Sequence, residues 1–164
     1  MKRAVLSSPL LAAAVSLLAA CSSEATAPEP QVIEELEFHP LLEVDLDAMT
    51  QTASGLYYED LVVGDGIVAE GGDSVFVGYA GYLADGRQFD AGEIGFTLLG
   101  GNLIPGFEEA VSGMAVGGAR KALLPPELGY GSSGFGGIPG GAVLIFDLQL
   151  RRVVEAPFQE PEQP

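Results

Sequence analysis

One stretch of this chain limits its folding options more than any other: Asn102–Met114, reading NLIPGFEEAVSGM. It carries the one helical pattern beyond the N-terminus. Phe107, Ala110, Val111 and Met114 fall at i, i+3, i+4 and i+7, which puts four apolar groups on a single stripe. Pro105 stands at the first turn, where its missing N–H does no harm, and Gly113 supplies a stop. Glu108 and Glu109 fall early enough to meet the positive end of the helix dipole. About two turns of helix do not hold together alone in water. Something must wrap the stripe, and the rest of the chain reads as short strands suited to do so.

Gly55–Leu61 is a strand candidate closed by Gly64-Asp65-Gly66, and Gly71-Gly72-Asp73 is a second turn. Ser74–Leu83 has the clearest alternation: Val75, Val77, Tyr79 and Leu83 share one face, and Phe76 and Tyr82 the other. Asp85-Gly86 signals a hairpin leading to Gln88-Phe89-Asp90, and Phe96–Leu99 reads as a further strand. Beyond the helix, Ala119–Leu124 is stopped by Pro125-Pro126, because proline cannot continue a ladder. A glycine-rich loop then runs to Gly141, and Ala142–Leu150 alternates again. From Arg151 on the chain turns to Glu, Gln and Pro and reads as frayed. The expectation is α+β: five antiparallel strands bent around one short helix, over residues 51–153, with a tail at 154–164.

The N-terminus reads differently. Lys2 and Arg3 precede an apolar run from Leu10 to Ala20, too short for a membrane span, and residues 1–20 have the layout of a signal peptide. Leu18-Ala19-Ala20-Cys21 resembles the bacterial lipobox, which implies lipidation of Cys21, the chain's single cysteine, and loss of the preceding peptide. One cysteine also excludes an intrachain disulfide. Residues 21–50 then serve as a tether or as an arm laid on the domain; the period of two at Leu42, Val44 and Leu46 fits a half-exposed strand. The expected location is the cell envelope, on a bacterial membrane. Ser22 lacks the Asp associated with inner-membrane retention in enteric bacteria, which points to the outer membrane facing the periplasm. Of 7 basic side chains, two leave with the signal, so five remain against 23 acidic ones. Such a surface repels phosphate backbones and excludes nucleic acid as a partner.

Conventional catalytic constellations are missing. Gly129-Tyr130-Gly131-Ser132-Ser133-Gly134 matches G-x-G-x-x-G, yet no helix pattern follows to face a pyrophosphate. The lone His39 has no partner spaced for a catalytic triad, and no cluster fits a metal. Glu108 and Glu109 lie about 100° apart on a helix, and the dipole accounts for both. No cofactor is implied. Aromatic side chains scattered over separate elements, several beside glycines, point instead to an apolar binding pocket. Leu103, Ile104 and Phe107 would form its floor.

Five ordered motifs carry a resemblance: Val77-Gly78-Tyr79-Ala80-Gly81; Asp85-Gly86-Arg87-Gln88-Phe89-Asp90; Leu103-Ile104-Pro105-Gly106-Phe107-Glu108-Glu109-Ala110; Pro125-Pro126-Glu127-Leu128-Gly129-Tyr130-Gly131; and Leu144-Ile145-Phe146-Asp147-Leu148. In order and spacing this resembles the FKBP family of peptidyl-prolyl cis/trans isomerases, here in a bacterial lipoprotein form. The resemblance implies a five-stranded antiparallel half-barrel around the helix. It also implies a proline-holding pocket with Tyr79, Phe89, Asp90, Ile104, Phe107, Tyr130 and Phe146 at the reacting bond and Ile94, Leu103, Phe135 and Ile138 in substrate binding. The Ile104 N–H and the Tyr130 hydroxyl would hold ligand carbonyls, and Asp90 would be a polar wall group. Proline-containing polypeptide segments are the implied partners, with macrolide immunosuppressant-type inhibitors in the same pocket. The alternative is a proline-peptide binding module or chaperone without catalysis. Phe107 stands where many members carry Trp, and Phe135 replaces a frequent His; both bear on which residue is preferred before proline.

Overall fold

A computed structural model describes residues 28–157. The signal segment and Cys21 lie outside the described residues, as does the end of the tail. Six strands form one antiparallel sheet: β1 (Thr50–Gln51), β2 (Tyr57–Val62), β3 (Ser74–Leu83), β4 (Gln88–Thr97), β5 (Ala119–Leu124) and β6 (Leu144–Val154). Their order across the sheet is β1-β2-β5-β6-β3-β4. The additional strand relative to the expected five is β1, two residues that pair with Tyr57 and Tyr58. The stretch expected as a separate strand at Phe96–Leu99 is the end of β4, which runs ten residues against β3. β6 continues past Leu150 to Val154, whose partner is Ser74 at the start of β3; sheet pairing extends the strand beyond its apolar alternation.

The helix α1 (Pro105–Val111) has Pro105 at its first position. Gly113, just past its end, takes a φ of +75°, the left-handed stop that glycine tolerates. Phe107, Ala110 and Val111, followed by Met114, pack with Val75, Val77, Leu98, Leu124, Leu144 and Phe146 in the main core. The stripe drawn from spacing is thus the buried stripe. Arg120 on β5 ties helix to sheet. It is 7% exposed, makes a two-point ion pair with Asp60 at 2.7 and 3.1 Å, and donates to the carbonyls of Ala110 and Ser112 at 2.9 and 3.3 Å. Its guanidinium also lies 4.3 Å from the Tyr58 ring centre.

The opposite face of the sheet is covered by the N-terminal arm. The half-exposed strand expected around Leu42–Asp47 is absent; the arm instead makes single 3-10 turns at Ile33–Glu35 and Pro40–Leu42. Ile33 and Leu42 are buried against Ala84, Leu123, Val143 and Ile145, with Val44 and Leu46 partly covered by the same cluster. The alternation therefore marked burial correctly and pairing wrongly. The arm lies across a face of the sheet, where its backbone finds no long ladder. It makes single bonds instead, from Gln31 N–H to Gly141 O and from His39 N–H to Ala84 O.

Candidate functional site

Strand register brings the pocket together from distant parts of the chain. Tyr79 of β3 lies opposite Leu148 of β6, and Gly81 lies between Phe146 on one side and Asp90 on the other. A Cβ on Gly81 would sit 2.5 Å from the Phe89 ring and 2.9 Å from the Phe146 ring, so glycine is what lets those two rings meet. They do so edge to face at 5.6 Å, and Phe107 meets Phe146 at 5.2 Å and Tyr79 at 5.7 Å in the same manner. Phe96, half-buried, meets Phe107 at 5.8 Å. The rings enclose a hollow of about 150 Å³ lined by Tyr79, Phe89, Asp90, Ile94, Leu103, Ile104, Phe107, Tyr130 and Phe146.

The floor is set by one carboxylate. Glu108 is 4% exposed and accepts the N–H groups of Gly101, Asn102 and Leu103 at 3.2, 3.0 and 3.0 Å. This fixes the approach to α1 and with it Ile104, the extended N-cap residue (φ −61°, ψ 137°). An N-cap N–H stands outside the helical ladder, and Ile104 lines the hollow. Glu109, by contrast, accepts from the Ser54 hydroxyl at an exposed position.

The polar wall is a tyrosine–carboxylate pair. The Tyr79 hydroxyl donates to Asp90 Oδ2 at 2.8 Å, and Asp90 Oδ1 accepts the Ala91 N–H at 2.9 Å. Its hydrogen bond to Asp90, with burial and that charge adding, raises the Tyr79 pKa above the ordinary 10.0. Burial, followed by the Asp90 charge, raises that of Tyr130. Both hydroxyls thus remain protonated donors at neutral pH.

Phe135 and Ile138 stand apart from this hollow. Their backbones bond to each other in the glycine-rich loop, and Phe135 stacks on Tyr130 at 5.2 Å and 16° while remaining 67% exposed. With Leu83, Arg87 and Gln88 they line an adjoining hollow of about 410 Å³, which shares Phe89, Asp90 and Tyr130 with the first. Sequence reasoning passed over Leu83, Arg87 and Gln88 as pocket residues and missed the capping role of Glu108. The Asp-Gly hairpin signal was the available hint for Arg87 and Gln88; for Glu108 there was none beyond its place near the helix start. Among the described residues no group of three or more His, Cys, Asp or Glu side chains assembles as a metal site, and no helix is long and apolar enough to cross a membrane.

Fold and site together define a class: a single antiparallel sheet packed on one short helix, holding an aromatic hollow furnished with hydrogen-bond donors. Residues 66–151 match the family model described as FKBP-type peptidyl-prolyl cis-trans isomerase, and the chain belongs to that family. Among its relatives, FKBP-type peptidyl-prolyl cis-trans isomerase FkpA of Escherichia coli (strain K12) is 40% identical over 111 residues, covering 65% of this chain and 40% of that protein. FK506-binding protein 4 of Gibberella zeae is 40% identical over 107 residues, covering 63% of this chain and 22% of its own length. The chain therefore spans only a minor part of these relatives. In three dimensions, the crystal structure of FkpA from Escherichia coli superposes with a TM-score of 0.62 at 36% identity, over 67% of this chain and 53% of that one. The crystal structure of AtFKBP13 gives 0.59 at 32% identity, over 62% and 95% of the two chains.

Proposed function

We propose that this chain is a peptidyl-prolyl cis/trans isomerase that rotates X–Pro bonds in the aromatic hollow and assists the folding of secreted or envelope proteins. The observation that carries this reading is the hollow itself: apolar rings on most sides, donors at Ile104 and Tyr130, and a fixed Tyr79–Asp90 pair. The reaction needs no more. The obstacle to rotation is the double-bond character of the C–N bond, a barrier of roughly 18–20 kcal/mol. At mid-rotation the amide resonance is lost and the carbonyl is less polar than in the planar ground state. A dry pocket therefore penalises the planar form more than the twisted one. An acceleration of ~10⁴ to 10⁶ corresponds to about 5.5–8 kcal/mol, within reach of burial, an anchored ring and one or two hydrogen bonds.

The relatives named FK506-binding proteins support the further reading that macrolide inhibitors of that type occupy the same hollow. The lipobox-like Leu18–Cys21 supports attachment through a lipid to a bacterial membrane, and Ser22 in place of an Asp favours the outer one, facing the periplasm. Cis/trans exchange of an X–Pro peptide with the soluble chain from Cys21 on tests the activity. Acceleration that a macrolide abolishes supports it. Peptide binding without acceleration shows a non-catalytic proline-binding module instead. For the anchor, Cys21→Ser should leave the protein unprocessed, at its larger precursor mass, or release it to the soluble fraction; membrane retention at the processed size refutes lipidation.

A further inference from the structure

The N-terminal arm touches both walls of the site at their turns. Gln31 makes two bonds to the base of the glycine-rich loop: its N–H donates to Gly141 O at 2.7 Å, and its side-chain Oε1 accepts the Val143 N–H at 2.8 Å. Gly141 in turn donates to Gly131 O at 2.8 Å, closing the loop that carries Tyr130, Phe135 and Ile138. Gly141 has a φ of +72°, and a Cβ there would lie 2.9 Å from Pro30 Cα and 3.0 Å from Glu29 O, so the arm's backbone sits directly on this turn. At the other wall, His39 N–H donates to Ala84 O at 2.8 Å. A Cβ on Gly86 would lie 2.8 Å from the His39 ring. One arm thus bridges the β3–β4 hairpin and the loop.

The bridge encloses space. A third hollow, of about 180 Å³, has Pro28, Glu29 and Gln31 on one side and Leu83, Arg87 and Pro139 on the other. It shares Leu83 and Arg87 with the 410 Å³ hollow, which itself opens into the aromatic one through Phe89, Asp90 and Tyr130. The three hollows thus neighbour one another in a row through these shared lining residues. At the junction stands Arg87, paired among the described residues with Asp85 alone, at 3.4 Å, with both side chains more than half exposed, and so able to turn toward an occupant.

We propose that the arm residues Pro28–Gln31 form the outer wall of an extended peptide-binding trough, with Gln31 as the positioning residue that holds the glycine-rich loop at the right spacing. The substrate of this site is accordingly an extended polypeptide segment, gripped for several residues to one side of the proline. The inference rests on the isomerase reading and deepens it. At roughly 3.3 Å per residue, three added residues reach on the order of 10 Å, enough to leave the aromatic hollow and run along the trough.

The experiment compares two X–Pro peptides, a tetrapeptide and one lengthened by about three residues at each end, both for acceleration and for equilibrium binding by calorimetry. Wild type should bind the longer peptide more tightly and turn it over with a lower KM. Gln31→Leu should reduce the long-to-short ratio in affinity and in 1/KM by about two- to tenfold, the range that one hydrogen bond covers, while moving kcat less than KM. Gln31→Glu keeps an acceptor for the Val143 N–H and should restore the ratio. Equal ratios in wild type and Gln31→Leu overturn the proposal, as does a wild type indifferent to length. If neither peptide is accelerated but binding still depends on length and on Gln31, the isomerase reading fails and the trough stands.

Discussion

Glu108 and Glu109 are adjacent and chemically identical, yet the structure gives them different work, and only Glu108 falls in the first turn of α1. Glu109 meets an exposed serine hydroxyl, whereas Glu108 is buried and holds three backbone N–H groups of the segment entering α1. Hydrogen bonds to a charged acceptor each contribute about 1.5–3 kcal/mol, but only where the donor cannot rehydrate. Gly101 and Asn102 are exposed and recover water when the carboxylate is gone; Leu103 is half-buried and does not. Glu108→Ala should therefore cost about 2–4 kcal/mol, well below the sum of three full bonds. Glu108→Gln keeps an oxygen for Asn102 and Leu103 but turns an NH₂ toward the Gly101 N–H, so about 1–2 kcal/mol is expected. Glu109→Ala should stay within about 0.5 kcal/mol of wild type. Urea unfolding measures all three. Because the same segment aims the Ile104 N–H, Glu108→Ala should also lower kcat/KM for an X–Pro peptide by about three- to tenfold under conditions where the variant is fully folded. Indistinguishable stabilities for the Glu108 and Glu109 variants, or an unchanged kcat/KM in folded Glu108→Ala, would refute the assignment of Glu108 as the support of the pocket floor.

Arg120→Ala removes the tie between α1 and β5 and leaves the Ala110 and Ser112 carbonyls short of a donor. Since the Asp60 side chain is 36% exposed and can rehydrate, about 2–4 kcal/mol is expected, read as a lowered urea midpoint with unchanged slope. Tyr79 and Tyr130 have folded pKa values above the ordinary 10.0, so the folded state holds these protons more tightly than the unfolded one. Their stabilisation is complete below the unfolded value and is lost as pH rises through the folded values; stability should fall with pH above about 10, and Tyr79→Phe should flatten that fall. Tyrosinate absorbance, followed alongside unfolding midpoints, checks both. Tyr130→Phe, which removes a donor proposed for the substrate carbonyl, should lower kcat/KM by about two- to tenfold at neutral pH.

What the sequence made legible was what local pattern encodes. The stripe Phe107–Met114, the alternation in β3 and the stop at Pro125-Pro126 each follow from side-chain spacing within a dozen residues, and each appears in the fold. The aromatic site was legible because eight of its members sit in ordered motifs, and register brings those eight, with Ile94, to one hollow, nine of the eleven pocket residues the resemblance implies. The arm was legible only as one of two readings, an arm laid on the domain or a tether, and its manner of packing was not. Its period of two is the same whether alternate side chains pack within a sheet or lie across one, and the choice depends on Ala84, Leu123, Val143 and Ile145, which are remote in sequence. Arg120 was hidden for the opposite reason. In Gly118-Ala119-Arg120-Lys121 it reads as a surface cation near a turn, and only the register opposite Asp60 and the approach of α1 supply the partners that make burial tolerable.

The same contrast separates the chemistry of the site from its placement. Apart from Asp90 on its wall, every group lining the aromatic hollow is a ring, an aliphatic side chain, a hydroxyl or a backbone N–H, and all are recognisable by residue type. The groups that hold them in place are charged: Glu108 beneath Ile104, Arg120 behind α1, Asp90 against Tyr79. A pocket that acts by excluding water from an amide cannot carry mobile, hydrated charges at its centre without weakening the desolvation on which it depends. Placing the charges at the margins, satisfied by fixed partners, keeps the hollow dry and its donors aimed. Charge introduced at the centre, as in Phe107→Asp, should therefore abolish activity more completely than the loss of any single hydrogen bond, whereas Phe107→Leu, which keeps the floor apolar, should retain a measurable fraction.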